Sequence, residues 1–259
     1  MSYETLLYDL DGNVATITLN RTDRMNALTP RLLAELRHAV QAAQEQGARA
    51  IILTGAGDAF CSGADLIGDG EGMPDDLGAL LESHYHPAVR ALSECGVPVI
   101  SAINGPAVGA GLSFALAADI VIMKRSAYLL LAFANIGLVP DAGATWMVAK
   151  SVGRAKALEM ALLGQKVPAE QALDLGLVTR VVDDDKLTEE VRAVAGKLAN
   201  GPSVALGLIR KQVAAAVDST LDEVLEIEKA NQTKAGYTAD FREAVTAFAE
   251  KRKPEFKGQ

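Results

Sequence analysis

One acidic residue, Asp141, stands in a turn sequence that suits proton transfer. It lies in the run 137–143 (GLVPDAG), between the apolar stretch 128–133 and a helix predicted to begin near Ala142. Partial removal from water raises the pKa of a carboxylate toward the range in which it can take up and return protons. We therefore predict that Asp141 is an acid/base, and the alternative role is a cap on the following helix.

Two glycine-rich turns upstream are candidate sources of backbone hydrogen-bond donors. In the run 60–66 (FCSGADL), Gly63 permits unusual backbone angles, so that the N–H of Ala64 can point into a cleft while Asp65 braces the turn. The run 104–113 (NGPAVGAGLS) leads into a helix, whose first N–H groups can face a ligand. An ordinary strand-to-helix turn is the alternative for the first run. One acid and two donor turns together favour proton movement beside a carbonyl group.

Other reaction classes fit these residues poorly. Gly109 and Gly111 lack the third glycine of a dinucleotide-binding fingerprint, and the chain has no GxxxxGK phosphate-binding motif. Ser113 lies on no G-x-S-x-G elbow, which argues against a hydrolase triad. Cys61 has no histidine near it in the sequence, so we interpret it as a small packing residue.

Asp141 and the two glycine-rich turns lie among predicted strands and helices that alternate along the chain. A hairpin is predicted from 6–10 and 14–19, around the turn 11–13. Thr29 and Pro30 begin a helix that ends at Gly47. Further predicted strands are 50–54, 99–103, 120–123 and 128–131, with a helix at 111–118. Strands that alternate with helices imply parallel pairing through crossover connections, so the predicted fold class is α/β.

Helices dominate the second half of the chain. They are predicted at 142–150, 154–163, 169–175, 187–199, 203–216 and 221–237, with a last helix ending near Lys251. We therefore divide the chain into an α/β part, residues 1–195, and a helical C-terminal region, residues 196–259. The segment 68–76, rich in glycine with a proline, is predicted to be either a mobile lid or a surface loop.

Composition narrows the class of protein. The chain has 259 residues, a hydrophobic fraction of 49% and a net charge of −8, so a nucleic-acid partner is not expected. Its two cysteines are too few for a disulfide scaffold, and its first residues show no signal-peptide pattern. The longest apolar tract, 97–123, is interrupted by Asn104, Pro106 and Asp119, so no membrane span is expected. These features predict a cytoplasmic protein whose cysteines are reduced.

Together the motifs resemble the crotonase (enoyl-CoA hydratase/isomerase) superfamily. The matching stretches are 20–28 (NRTDRMNAL), 60–66, 102–120, 137–145, 169–177 and 248–256 (FAEKRKPEF). They cover essentially the whole chain in the expected order, which makes the resemblance specific. The resemblance implies a crotonase-like spiral of ββα units followed by a helical C-terminal region.

The resemblance also implies an acyl-coenzyme A thioester as the substrate. The thioester carbonyl would lie between the N–H groups of Ala64 and Ala110, the positions that match the family's oxyanion donors. Together with these two, the implied substrate-binding residues are Arg24, Ala27, Asp65, Leu66, Gly109, Ser113, Phe133 and Lys251. For Arg24 and Lys251, which match positions near coenzyme A, an ordinary solvated charge is the alternative. No metal and no cofactor are implied, because coenzyme A is part of the substrate.

By the same resemblance, the partners are further copies of the chain. The expected assembly is a homotrimer or a dimer of trimers, in which the C-terminal helices cover a site on their own or an adjacent subunit. Lys251 would contact coenzyme A, often that of the neighbouring subunit.

The sequence departs from the family's hydratase pattern at two positions. Hydratases hold and activate water with glutamates that would fall at Ser113 and Phe133, and neither residue is acidic. Asp141 stands where isomerising members carry an acid, and the run 137–146 looks like the epoxyphenylacetyl-CoA isomerase branch. We therefore predict an acyl-CoA isomerase. The alternatives are an enoyl-CoA hydratase that uses a lid acid, Asp75 or Glu82, and a non-catalytic acyl-CoA-binding protein.

Histidines near the predicted lid have a less specific interpretation. His84 and His86 are two residues apart in a predicted helix, so they do not share a face and do not indicate a metal site. For both, and for Tyr85 between them, surface or packing roles are favoured over lining of the acyl pocket.

Overall fold

The computed structural model describes residues 2–68 and 76–259. Within these ranges, nine strands form two sheets. The strands are β1 (Leu6–Asp11), β2 (Val14–Leu19), β3 (Ala50–Gly55), β4 (Val99–Ile103), β5 (Ala107–Val108), β6 (Ile120–Lys124), β7 (Tyr128–Leu130), β8 (Lys166–Pro168) and β9 (Arg180–Val182).

The larger sheet positions the two glycine-rich turns. Its order is β1-β2-β3-β4-β6-β9, and the smaller sheet has the order β5-β7-β8. β1 and β2 form an antiparallel hairpin, whereas the later neighbours in the larger sheet pair parallel. Because β3 and β4 are adjacent and parallel, the turns that follow them leave the sheet at the same edge.

Ten α-helices surround the sheets within the described residues. They are α1 (Pro30–Glu45), α2 (Leu77–Leu80), α3 (His86–Glu94), α4 (Ala110–Leu116), α5 (Ala144–Leu163), α6 (Ala169–Asp174), α7 (Leu187–Ala199), α8 (Ser203–Ala216), α9 (Leu221–Gly236) and α10 (Ala239–Glu250). Thr29 caps α1, because its side chain accepts from the Leu32 N–H at 3.2 Å. A π-helical segment, Leu81–Tyr85, joins α2 to α3.

The larger sheet has a packed core on each face. On one face Leu53 joins a buried cluster with side chains of α1, α3 and α4. On the other face Ile52 and Ile100 pack against α7. Successive residues of a strand point to opposite faces, so a strand covered on both sides needs apolar residues at every position. The unbroken apolar run 50–53 (AIIL) is therefore explained by the helices on both sides of the sheet.

The predicted α/β fold is confirmed, and most predicted elements are present. The hairpin and α1 begin where the sequence predicts them, and α7 and α8 have the predicted bounds. The short strands β5, β8 and β9 were not predicted, since two or three residues give no detectable alternation. The two predicted helices, 142–150 and 154–163, are confirmed as two helical segments within α5, separated by a break at Gly153, where φ is 76° and ψ is 164°.

Some predictions about organisation stay open. The predicted boundary after residue 195 falls inside α7, which packs on the larger sheet, and the division into two parts stays a prediction. Most of the predicted lid, 68–76, lies outside the described residues. Among the helices of the described ranges, none has the length and apolar character needed to span a bilayer.

Candidate active site

The first glycine-rich turn is fixed by a short parallel pairing with the segment before α1. The Leu28 N–H donates to the Gly63 carbonyl at 2.7 Å, and the Asp65 N–H donates to the Leu28 carbonyl at 2.9 Å. Along an extended chain, successive peptide groups point to opposite sides. The N–H of Ala64, between these two bonded groups, therefore points away from Leu28.

The second glycine-rich turn contains another free N–H group, that of Ala110. The Gly109 N–H donates to the Leu130 carbonyl at 2.8 Å, and Gly109 has a φ of 54°, which reverses the chain into α4. Ala110 is the first residue of that helix, so its N–H has no partner within the helix. Across residues 2–68 and 76–259, neither the Ala64 nor the Ala110 N–H donates a hydrogen bond.

The two turns pack directly against each other because glycine stands at their contact points. A Cβ placed on Gly63 would lie 2.9 Å from the Val108 carbonyl oxygen and 3.6 Å from the Ala110 nitrogen. A Cβ on Gly111 would collide with the Cys61 carbonyl oxygen. The close approach brings the backbones of the two turns together, and each turn carries one free N–H group.

Asp65 braces the first turn, as the sequence predicts. Its Oδ1 accepts from the N–H groups of Ile67 at 3.3 Å and Gly68 at 3.0 Å. Its Oδ2 pairs with Arg21 Nη2 at 2.8 Å. Burial alone would raise the pKa of Asp65, but the Arg21 guanidinium and the backbone donors outweigh it and hold that pKa below its usual value. The sequence gives no local signal for Arg21, since 44 positions separate the two residues.

Cys61 is a packing residue, as predicted. The side chain is fully buried, and its Sγ lies 3.1 Å from the Asn26 carbonyl oxygen. Burial raises the pKa of the thiol to about 12, so it stays protonated and is a poor nucleophile.

Asp141 does not cap a helix, so the alternative role considered from the sequence is wrong. The N-cap of α5 is Gly143, and no side chain donates or accepts at that cap. Ala142 and Gly143 both have positive φ, which turns the chain between Asp141 and the helix. The main-chain carbonyl of Asp141 accepts from the Ser113 hydroxyl at 3.0 Å and from the Ala144 N–H at 2.9 Å. These bonds fix the backbone of Asp141 and leave its carboxylate free.

The carboxylate of Asp141 is largely buried, and one of its two oxygens has no partner. Its Oδ1 is inaccessible to solvent and has no hydrogen-bond partner within the described residues. Burial raises the pKa of Asp141 to about 6. A carboxylate with that pKa can both accept and return a proton near neutral pH.

Asp141 and Ala64 line one cavity of about 420 Å³. Leucines of α2 and the π-helical segment form one apolar wall, and Leu138 with Val139 form another. Tyr85, His86 and Trp146 supply the larger polar and aromatic side chains. The cavity combines an apolar interior with one acid and one free backbone donor, the arrangement expected of a site that moves protons on an apolar substrate.

The match to a protein family covers almost the entire chain. The family model described as enoyl-CoA hydratase/isomerase matches residues 9–259. The chain belongs to this family. Its fold is the crotonase fold, since the crystal structure of an enoyl-CoA hydratase from Bacillus anthracis superimposes with a TM-score of 0.93 at 32% identity, covering 99% of this chain and 100% of that one.

Two full-length relatives of this enoyl-CoA hydratase/isomerase family member carry different activities in their names. A probable enoyl-CoA hydratase of Rhodobacter capsulatus is 45% identical over 259 residues, which is 100% of both chains. A 1,2-epoxyphenylacetyl-CoA isomerase of Escherichia coli is 42% identical over 260 aligned residues, covering 99% of both chains. The chain is therefore related to enzymes, and the family membership leaves hydratase and isomerase activity open.

The structure of this family member brings only some predicted site residues into the cavity. Ala64, Leu66 and Asp141 line it. Gly109 and Ala110 form the backbone turn beside Ala64, and the Phe133 ring lies next to Gly109. The Ser113 side chain is fully buried beneath the Asp141 backbone, outside the cavity wall.

The predicted coenzyme A contacts lie on separate surface elements. Arg24 ends the 3-10 turn Thr22–Arg24, with its Nε 3.9 Å from the Asp23 carboxylate. Ala27 is buried near Leu28. Lys251 follows α10 in a left-handed conformation. The contacts of these residues with substrate stay predictions.

Two further cavity residues were considered from the sequence. Tyr85 and His86 line the cavity, while Tyr85 packs against Phe114 and His86 is exposed, as the preference for packing and surface roles predicts. Contact of either residue with an acyl group stays a prediction.

Trp146, which was not predicted, also lines the cavity, and its Nε1 donates to Asp218 Oδ2 at 3.2 Å. Asp218 lies between α8 and α9, so the C-terminal helices of the same chain hold one wall of the cavity. The tryptophan directly after the matching run 137–145 was the available signal.

A second acid for this family member is not found among the described residues of the cavity. Glu82 is exposed and does not contribute to the cavity lining. Asp75 lies outside the described residues. Across residues 2–68 and 76–259, no group of three or more potential ligand side chains is arranged to hold a metal ion.

Proposed function

We propose that this chain is an acyl-CoA isomerase that shifts a double bond, or rearranges a ring-derived acyl group, through an enolate. The observation that carries the proposal is the Asp141 carboxylate, which is buried, unpartnered and poised with a pKa of about 6 in an apolar cavity. An acid in this state can transfer a proton in both directions during one turnover.

The proposed reaction uses the two turns and Asp141 together. The thioester oxygen accepts hydrogen bonds from the N–H groups of Ala64 and Ala110. Asp141 removes a proton from the α-carbon of a 3-enoyl-CoA, the electron pair moves into a dienolate, and the protonated Asp141 returns the proton to the γ-carbon. The product is the 2-enoyl-CoA. Each backbone donor contributes roughly 3 kcal/mol to such enolate-like transition states.

The apolar walls support the same reaction. A chain of acyl carbons fits beside Leu80, Leu138 and Val139, where water is disfavoured. Exclusion of water keeps the proton on Asp141 between its removal and its return. Arg24 and Lys251 are the proposed contacts for the phosphates of coenzyme A, and Ala27, Asp65, Leu66 and Gly109 the proposed neighbours of its pantetheine arm.

A hydratase is the second candidate, and the Rhodobacter capsulatus relative favours it. Hydration requires that a water molecule be held and activated, typically by two acid/base groups. The positions of the family's glutamates carry Ser113 and Phe133, and the Ser113 hydroxyl is already bonded to the Asp141 carbonyl. The Escherichia coli relative favours the isomerase, and its name extends the proposed substrates to ring-derived acyl-CoAs.

A homotrimer or dimer of trimers is the proposed assembly. Large apolar side chains are exposed on the three C-terminal helices, among them Ile209 and Val213 on α8 and Phe241 and Phe248 on α10. Apolar surface of this extent is typical of a contact between protein chains. A second copy of this chain is the proposed occupant.

The deciding experiment gives the purified protein a trans-3-enoyl-CoA and, separately, a trans-2-enoyl-CoA, in water enriched in heavy oxygen. Products are followed by chromatography and mass spectrometry. The isomerase proposal expects conversion of the 3-enoyl to the 2-enoyl compound without heavy-oxygen uptake, and loss of that conversion in Asp141→Asn. Rapid heavy-oxygen uptake into the 2-enoyl-CoA would establish a hydratase instead. If neither substrate is converted, ring-derived acyl-CoAs are tested next, and binding without any turnover would indicate a non-catalytic protein.

A further inference from the structure

Tyr85 is a buried tyrosine at the wall of the Asp141 cavity. The residue is only 3% exposed, and its ring lies 6.5 Å from that of Phe114 at an angle of 54°. It ends the π-helical segment, in which the His86 N–H bonds to the Leu81 carbonyl five residues earlier. Such π-helical turns inside helices are frequent at functional sites.

The Tyr85 hydroxyl has no hydrogen-bond partner within residues 2–68 and 76–259, although the residue lines a cavity. Buried tyrosine hydroxyls usually have a partner, because an unpaired polar group away from water is costly. Asp141, in the same cavity, also has an oxygen without a partner, Oδ1, which is inaccessible to solvent. The wall of the cavity in which the acyl group is proposed to bind therefore includes one residue with an unpaired donor and one with an unpaired acceptor.

Tyr85 is suited to donate rather than to transfer its proton. Burial raises the pKa of the hydroxyl far above its usual value, and the nearby carboxylate of Asp141 raises it further. The phenol therefore keeps its proton throughout the pH range in which proteins are folded. A group of this kind recognises an acceptor atom and remains neutral.

We propose that Tyr85 donates a hydrogen bond to an oxygen atom carried by the acyl group, and so makes the enzyme selective for oxygen-bearing acyl-CoAs. This inference rests on the proposed function, in which the thioester oxygen already has the Ala64 and Ala110 donors. Tyr85 and Asp141 line the same cavity, so both can contact one bound acyl group. No acceptor among the described residues bonds to the Tyr85 hydroxyl, and an oxygen substituent of the ligand would complete the site.

The test compares the binding of matched, saturated acyl-CoAs that cannot undergo a double-bond shift. Hexanoyl-CoA and 4-methoxybutanoyl-CoA have the same length and differ by one ether oxygen in place of a methylene. Pentanoyl-CoA and 3-methoxypropanoyl-CoA place that oxygen one position nearer to the thioester. An ether accepts hydrogen bonds and cannot donate them, so it reports only on a protein donor. Dissociation constants are measured by equilibrium dialysis, with mass spectrometry to verify that the ligands stay intact.

The Tyr85→Phe variant keeps the ring against Phe114 and removes only the hydroxyl. We expect the preference for the ether over the alkyl ligand to fall by about threefold to tenfold in at least one pair, as one hydrogen bond predicts. Tyr8→Phe is the matched control, because Tyr8 lies on β1 and its hydroxyl bonds to Gln46. This control leaves all four dissociation constants unchanged.

Two results would overturn the inference. An unchanged ether preference in both pairs would mean that Tyr85 does not contact a ligand oxygen. An equal loss of affinity for ether and alkyl ligands would mean that the hydroxyl acts on the thioester or on packing. Because these measurements require no turnover, they remain valid if Asp141 is not the acid/base, and the heavy-oxygen experiment tests that separately.

Discussion

Asp141 is the residue whose ionisation should control catalysis. As the base in the first proton transfer, it must be ionised in the free enzyme, and its pKa is raised to about 6 by burial. We therefore expect kcat/KM for 3-enoyl-CoA to fall about tenfold per pH unit below pH 6 and to level off above it. Initial rates from pH 4.5 to 8.5 measure this profile.

The other titratable groups of the cavity define the control. His86 lines the same cavity and is the other candidate proton acceptor there, whereas Tyr85 keeps its proton. His86→Gln should leave the acidic limb of the profile in place. If the limb disappears in His86→Gln, the histidine and not Asp141 is the titrating base.

The ionised carboxylate of Asp141 should lower the free energy of unfolding. A group whose folded pKa exceeds its unfolded value destabilises the fold once it is ionised, so the penalty is complete above pH 6 and absent near pH 4. Partial solvent access reduces the penalty to roughly 1–2 kcal/mol. Asp141→Asn should therefore raise the free energy of unfolding by about that amount at pH 8, with little change at pH 4.

Urea unfolding at fixed protein concentration measures the effect of Asp141→Asn at the two pH values. Asp174→Asn, at the exposed end of α6, is the matched control and should change stability equally little at both. Equal stabilities of Asp141→Asn and the parent protein at pH 8 would contradict an uncompensated buried carboxylate.

At the scale of elements, the contact between the two turns should be intolerant of a methyl group. In Gly111→Ala the new Cβ collides with the Cys61 carbonyl, so α4 must shift and carry the Ala110 N–H away from that of Ala64. Loss of one well-placed donor predicts a fall in kcat of about a hundredfold. Steady-state kinetics and circular dichroism together separate this effect from unfolding.

Gly196 offers a matched control for that substitution. It lies inside α7, and a Cβ there would have no neighbouring atom within 4 Å. Gly196→Ala should keep full activity and stabilise the protein by about 0.5–1 kcal/mol, because alanine is the better helix former. Full activity of Gly111→Ala would show that the spacing of the turns does not matter to catalysis.

Local patterns explain which elements could be predicted. Three features depend only on residues that are neighbours in the sequence, and they could therefore be predicted. They are the Thr29-Pro30 start of α1, the buried strand 50–53 and the Pro/Gly turn around Asp141. Tyr85 was not predicted to line the cavity. The cavity wall forms where residues of 77–86 pack beside residues of 138–146, and the sequence does not show that these distant segments meet. The π-helical segment also shifts the helical register there, so the side-chain directions differ from those of a regular helix.

At the scale of the whole molecule, the C-terminal helices have two roles. Asp218, between α8 and α9, bonds to the Trp146 indole at the cavity wall, and the Lys150 ammonium bonds to the adjacent Val217 carbonyl at 3.2 Å. The second role follows from the apolar surface of these helices, on which Phe248 is 86% exposed. A chain that both supports its own cavity and exposes such residues is expected to bury them against another copy.

Phe248→Asp should therefore break the assembly without unfolding the chain. An unpaired charge at an apolar interface is strongly unfavourable, whereas the same charge in water costs nothing. Light scattering after size exclusion should give three or six chain masses for the parent protein and a smaller mass for the variant. Leu7→Asp, at an exposed position of β1, is the control and should keep the parent mass. Lys251 follows the same helix, so a Phe248→Asp variant that no longer assembles should also bind coenzyme A more weakly. If the mass of the Phe248→Asp protein is unchanged, the contact between copies lies elsewhere.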